Sequence, residues 1–124
     1  MNTPRERVLS YWQAANARDW QAFAELLAEQ IVYEVPQTRE RVRGRANYVE
    51  FNRTWPGQWR ADIQQLVADD QQAVSVIAFH VDGTAETGIS VFEFDGDGRV
   101  ARITDHWPAP YAPPARACDC IERY

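Results

Sequence analysis

The chain has 124 residues, 45% of them apolar, and a formal net charge of −5. A chain of this length buries roughly two thirds of its unfolded surface, so a single domain over residues 1–124 needs neither a disulfide nor a metal to hold it together. The acidic balance argues against nucleic acid and against an anionic membrane surface as partners, and no apolar run approaches the roughly 20 residues that span a bilayer.

The opening Met1-Asn2-Thr3-Pro4-Arg5-Glu6 has no apolar export core, so the expected location is the cytoplasm. The same stretch starts a helix: Thr3 can cap it, Pro4 suits the first turn, and Glu6 completes a capping box. Val8, Tyr11, Trp12 and Ala15 follow at helical spacing. After a break at Asn16-Ala17-Arg18, Asp19 can cap a second helix with the apolar stripe Trp20, Phe23, Leu26 and Leu27. Ile31–Val35 has strand composition and stops at Pro36. A polar, charged loop is then expected through Gly44, and a third helix over Ala46–Thr54 with Tyr48, Phe51 and Trp55 along its apolar edge. Pro56-Gly57 ends it, at a point where a lid could hinge. Four strands are predicted at Gln58–Ala68, Gln71–Val81, Ala85–Asp95 and Arg99–Trp107, separated by turn signals short enough for hairpins.

Helices first and an antiparallel meander afterwards is the pattern of an α+β fold, with a curved sheet wrapped by three helices into a cone. The tail from Pro108 to Tyr124 is proline-rich and extended at its start. Cys118 and Cys120 lie in that tail as Cys-Asp-Cys. They are too close for an ordinary disulfide and lack the second pair that a zinc site needs. Two surface thiols are the plain reading, with a redox or metal role as the alternative. No metal-ligand spacing occurs elsewhere, and no cofactor is expected.

Asp105 is the residue with the most chemical content. In an extended chain it shares a face with Ile103 and Trp107. A carboxylate in such company is either paired, with Arg102 for example, at a solvated strand end, or sits in a pocket where burial raises its pKa into the range of a catalytic base. His80 alternates with Ala78, and as a core histidine or as a partner of Asp105 it would look the same. Tyr11 likewise reads as a helical core aromatic or as a hydrogen-bond donor to a developing enolate. Glu34 turns away from the face of Val35 and is expected in solvent. His106, opposite Asp105 on its strand, is expected at the surface or in a dimer interface. Ser90 lacks the adjacent base of a nucleophile.

The chain resembles the nuclear-transport-factor-2-like superfamily, in its SnoaL-like branch. Tyr11-Trp12, Ala17-Arg18-Asp19-Trp20, Val42-Arg43-Gly44-Arg45, the run Phe92 to Val100 and His106-Trp107-Pro108 carry the likeness. The resemblance implies a cystatin-like α+β barrel with a mixed sheet and a cone-shaped pocket. It also implies activities such as those of polyketide cyclases and ketosteroid isomerases, and a homodimer through the outer sheet face. In register with the ketosteroid isomerases, Tyr11 falls at their helix tyrosine. Val35 and Ser90, however, replace their two aspartates, so that chemistry is not expected. The SnoaL-like cyclases use an acidic residue in the cavity to abstract a proton, a role the likeness transfers to Asp105.

Together these readings predict a cofactor-independent isomerase or cyclase acting on a compact apolar carbonyl compound. Asp105, His80 and Tyr11 would do the chemistry, and Trp107, Ser90, Ile103, Val35, Trp12 and Trp55 would bind the substrate. The rival reading is a non-catalytic ligand-binding or assembly module. An open cone of at least ~300 Å³ with Asp105 on its wall would favour the enzyme, and a cone filled by its own tryptophans the module.

Overall fold

The capping signals at the N-terminus fold as written. The computed structural model describes residues 2–124. In its first helix, α1 (Pro4–Ala17), Thr3 Oγ1 accepts a hydrogen bond from the Glu6 amide, and Glu6 Oε1 accepts one from the Thr3 amide. This reciprocal box satisfies two donors that a helix start otherwise leaves bare. Val8, Tyr11, Trp12, Ala14 and Ala15 form its buried face. Arg18 ends it in the left-handed conformation and lays its guanidinium 3.8 Å from the centre of the Trp59 ring.

Helix α2 (Trp20–Glu25) is capped by the Asp19 carboxylate. It is shorter than its apolar stripe suggests, because Leu27 already belongs to a strand. β1 (Leu27–Val35) begins four residues before Ile31, since Leu27 pairs with Val100 near the end of the chain. The expected polar loop contains a further strand, β2 (Glu40–Arg43), which forms a hairpin with β1 through the turn at residues 36–39. Its side chains are mostly exposed on both faces, so it carries no alternation for a sequence to display. α3 (Arg45–Arg53) follows, then β3 (Trp59–Ala68), β4 (Gln72–Val81), β5 (Thr84–Phe94) and β6 (Val100–His106), each within one or two residues of its predicted bounds. Trp107 to Tyr124 forms no helix or strand.

The six strands make one sheet in the order β2-β1-β6-β5-β4-β3, antiparallel except for the parallel β1–β6 pair. The class is α+β, with a mixed curved sheet and three helices on its concave side. Fully buried Phe23, Leu27, Ile31, Ile77, Phe92, Val100 and Ile103 fill the space between sheet and helices. Of β4, Ala73, Ser75, Ile77 and Phe79 point inward, whereas Val74, Val76, Ala78 and His80 point out. Among the described residues no helix is long and apolar enough to cross a membrane.

Candidate functional site

Pairing of β5 with β6 sets Ser90 directly across from Asp105, both on the concave face. The parallel neighbour β1 brings Tyr33 to the same place, in register with Ile103 and two residues from Asp105 on the same face. Ser90 Oγ donates to Asp105 Oδ1 at 2.6 Å, and the Tyr33 hydroxyl donates to Oδ2 at 2.5 Å. The carboxyl group is buried, with Asp105 only 6% exposed. Burial pushes its pKa up from 3.8 to about 6, against the opposing pull of the Ser90 and Tyr33 hydrogen bonds and of nearby His106. A carboxyl group so tuned is ionised at neutral pH and still basic enough to take a proton.

Two more phenols face the carboxylate from the helices. Tyr11 on α1 and Tyr48 on α3 share a hydrogen bond between their hydroxyl groups. Burial raises the pKa of Tyr11, Tyr33 and Tyr48, and the Asp105 charge raises each further. All three therefore remain protonated at neutral pH. The Tyr33 proton is spent on Asp105. The Tyr11–Tyr48 pair holds two protons and uses one between its members, leaving one to offer to a third group.

These residues wall a cavity of about 220 Å³ at the open end of the cone. Val35, Trp12, Trp59, Phe79 and Trp107 contribute apolar walls, and Trp55, 41% exposed, stands at the rim beside Thr38 and Glu40. The cavity is smaller than the ~300 Å³ typical of the low end of ligand sites, because tryptophan and phenylalanine side chains occupy much of the cone. Its volume therefore falls on the side of the binding module in the division drawn from the sequence, whereas its opening and the place of Asp105 on its wall fall on the side of the enzyme. A cleft of about 470 Å³ beside Arg7, Asp70 and Glu93 is a polar surface groove.

His80 is a correction. It was expected to turn inward beside Asp105, but Phe79 takes the inward position on β4 and His80 faces out. There its Nε2 lies 3.2 Å from the Asp62 carboxylate, which Arg60 also holds. Strand alternation allows one face per residue, and the core takes the phenyl ring in preference to the imidazole. Arg102 does not reach Asp105 either; it pairs with Glu34, which Arg41 also holds at the surface. Ser90 and Ile103 lie behind the cavity wall rather than on it: the serine hydroxyl is spent on Asp105, and Ile103 is fully buried. Trp12 reaches the cavity with its ring while its indole N–H donates to buried Ser75. The Pro56-Gly57 turn is anchored, since the Asp82 carboxylate accepts from the Gln58 amide and packs against Gly57.

Tyr33 and Tyr48 were missed as site residues. The available signal was that Tyr33 shares the inward parity of Val35, two positions on. Among the described residues no cluster of three or more His, Cys, Asp or Glu could hold a metal ion.

A sequence profile for the SnoaL-like domain matches residues 8–103. The chain is similar to a solved structure from Kribbella flavida DSM 17836, a protein provisionally named a ketosteroid isomerase. The two share 38% identity over 98% of this chain and 89% of that one, with a TM-score of 0.92. A protein of Pseudomonas putida KT2440, provisionally named a polyketide cyclase, shares 25% identity over 87% of this chain and 93% of its own, at a TM-score of 0.70. An LEH-like epoxide hydrolase of M. tuberculosis shares the fold at 22% identity and a TM-score of 0.71, over 85% of this chain and 82% of its own. No curated protein matches.

Proposed function

The chain belongs to the SnoaL-like domain family, and from that premise we propose that it is an enzyme of the isomerase or cyclase type, moving a proton next to a carbonyl of a compact apolar substrate. The observation that carries this reading is Asp105: a buried carboxyl group with a pKa near 6, facing an apolar cavity, with a spare phenol proton nearby.

Asp105 takes the proton from the carbon beside the carbonyl. Ser90 and Tyr33 hold both of its oxygens, fixing its orientation and stabilising it as the anion, while each oxygen keeps a lone pair for the incoming proton. Removal of that proton moves negative charge onto the substrate oxygen. The unspent proton of the Tyr11–Tyr48 pair meets it there, and the apolar aromatic walls strengthen that hydrogen bond. Returning the proton from Asp105 to another carbon completes an isomerisation; attack of the enolate carbon on a second carbonyl, with the Asp105 proton passed to the alkoxide so formed, completes a cyclisation. Both routes use only side chains of the chain itself.

The test needs no knowledge of the natural substrate. Simple cyclic ketones are incubated with the protein in D2O, and exchange at the carbon beside the carbonyl is followed by proton NMR. Exchange is expected to be faster with the wild type than with Asp105→Asn. Ketone binding without accelerated exchange, or equal exchange by both proteins, would overturn the enzyme reading in favour of a ligand-binding module.

A homodimer through the outer sheet face belongs to the same proposal. That face carries the cross-strand apolar pairs Val74–Val91 and Val76–Ile89, beside 70%-exposed Val67. Sedimentation at micromolar concentration is expected to give twice the chain mass, and a monomer would refute the assembly.

A further inference from the structure

We propose that the cavity takes an uncharged ketone built on a single ring, and that Trp107 is the residue that sets this limit. The inference rests on the proton-transfer reading and adds to it the size and charge of the substrate.

Volume is the first argument. An apolar cavity of roughly 150 Å³ accommodates benzene, so about 220 Å³ holds roughly nine non-hydrogen atoms. One ring with a carbonyl and a short substituent fits, whereas fused rings do not. A substituent can extend past Trp55 at the rim, so the limit applies to the part of the ligand that reaches Asp105. The lining suits such a ring: Tyr33 and Phe79 from the sheet, Trp107 just past β6, and Tyr11, Tyr48 and Phe51 from the helices give it aromatic contacts.

Charge is the second argument. The ionisable carboxyl groups on the cavity wall and rim are Asp105 and Glu40, and no arginine lines it. An anion would meet like charge. A cation would pair with Asp105 and lower the basicity that the proton step requires.

The third argument is that Trp107 is held in place from three directions. The Gln37 side chain, in the β1–β2 turn, donates from Nε2 to the Trp107 carbonyl at 2.8 Å and accepts from its amide at Oε1. A side-chain amide thus replaces the strand partner that β6 lacks at its end. The indole rests on Gly88, where a Cβ would come within 2.8 Å of the ring, and its edge meets Phe79 with centroids 5.3 Å apart. An alanine at 88 could not share that space, so glycine sets how far the indole stands back from the cavity.

The experiment compares binding of 4-methylcyclohexanone, 2-decalone and a saturated four-ring ketone to the full chain by calorimetry. Larger ketones have more apolar surface to bury, so affinity governed by hydrophobicity alone would rise along the series. We expect the reverse, with the one-ring ketone bound at least about tenfold more tightly than 2-decalone. Trp107→Ala should admit 2-decalone with a gain of about tenfold, and Gly88→Ala should weaken the one-ring ketone by pressing the indole inward. Should Trp107→Ala fail to fold, Gln37→Ala, which only releases the wall, should narrow the preference. Equal wild-type affinity for one and two rings, an unchanged preference in both Trp107→Ala and Gln37→Ala, or no binding by any ketone would overturn the inference. Failure of the two readings is distinguishable. Size selection without Asp105-dependent exchange refutes only the reaction, and exchange on 2-decalone as fast as on the one-ring ketone refutes only the size limit.

Discussion

Replacing Asp105 by Asn removes an ionisable group and keeps the shape, and its effect on stability should depend on pH in a direction that few aspartates show. Most carboxylates in folded proteins are paired and have lowered pKa values, so they stabilise at neutral pH. Asp105 is raised, from 3.8 to about 6. Between those values the native state retains a proton that the unfolded chain has released, so stability must fall as pH rises through that window. At about 1.4 kcal/mol per tenfold difference, the gap amounts to about 3 kcal/mol. Asparagine carries no such charge; it can accept from one of Ser90 and Tyr33 and donate to the oxygen of the other. Urea unfolding of wild type and Asp105→Asn, followed by tryptophan fluorescence from pH 4 to 8 at fixed protein concentration, isolates this group because all other titrations cancel. The wild type should lose about 2 kcal/mol relative to the variant between pH 4 and 7, the rest of the gap falling below pH 4 where the unfolded carboxyl titrates, with unchanged denaturant dependence, and the difference should be flat above about pH 7. A difference independent of pH would refute the burial argument. One that grew in favour of the wild type with rising pH would mean a lowered pKa, as expected of a carboxylate paired with an arginine.

Other expected outcomes concern the reaction. Ketone exchange should rise with pH through an inflection near 6 and then level, and Tyr33→Phe or Ser90→Ala should move that inflection upward, since each removes a hydrogen bond that favours the anion; an unmoved inflection would count against Asp105 as the base. Replacing Tyr11 and Tyr48 together by Phe should slow exchange by roughly 10²–10³-fold if the pair supplies the oxyanion donor, and circular dichroism should show the fold retained, while an unchanged rate would assign that role elsewhere. His80→Ala should leave exchange unaltered and cost under about 1 kcal/mol in urea, because the Asp62 partner is at the surface; a large loss of rate would contradict the outward placement.

The local elements of this protein were legible because they depend on neighbours in sequence. The Thr3–Glu6 capping box, the Asp19 cap and the inward alternation of Ile103, Asp105 and Trp107 are short-range patterns that the tertiary structure keeps. Family likeness supplied the cone. Features set by strand pairing were not legible in the same way. β2 is too polar and exposed to announce itself, and Leu27 became a strand residue through its pairing with Val100, distant in the chain. The environment of Asp105 is the clearest case. Its alternation could not decide between a solvated ion pair and a pocket, and it was packing that sent Arg102, three residues back on the same strand, to Glu34 instead. Tyr33 and Ser90 reached the carboxylate only because β1 and β5 flank β6 in the sheet. His80 shows the reverse: one step along β4 decides inside from outside, and only packing chose Phe79 for the core. Sequence determined which residue could be a base. The order of the strands decided what stands beside it, because hydrogen bonds and burial are made across the sheet and not along the chain.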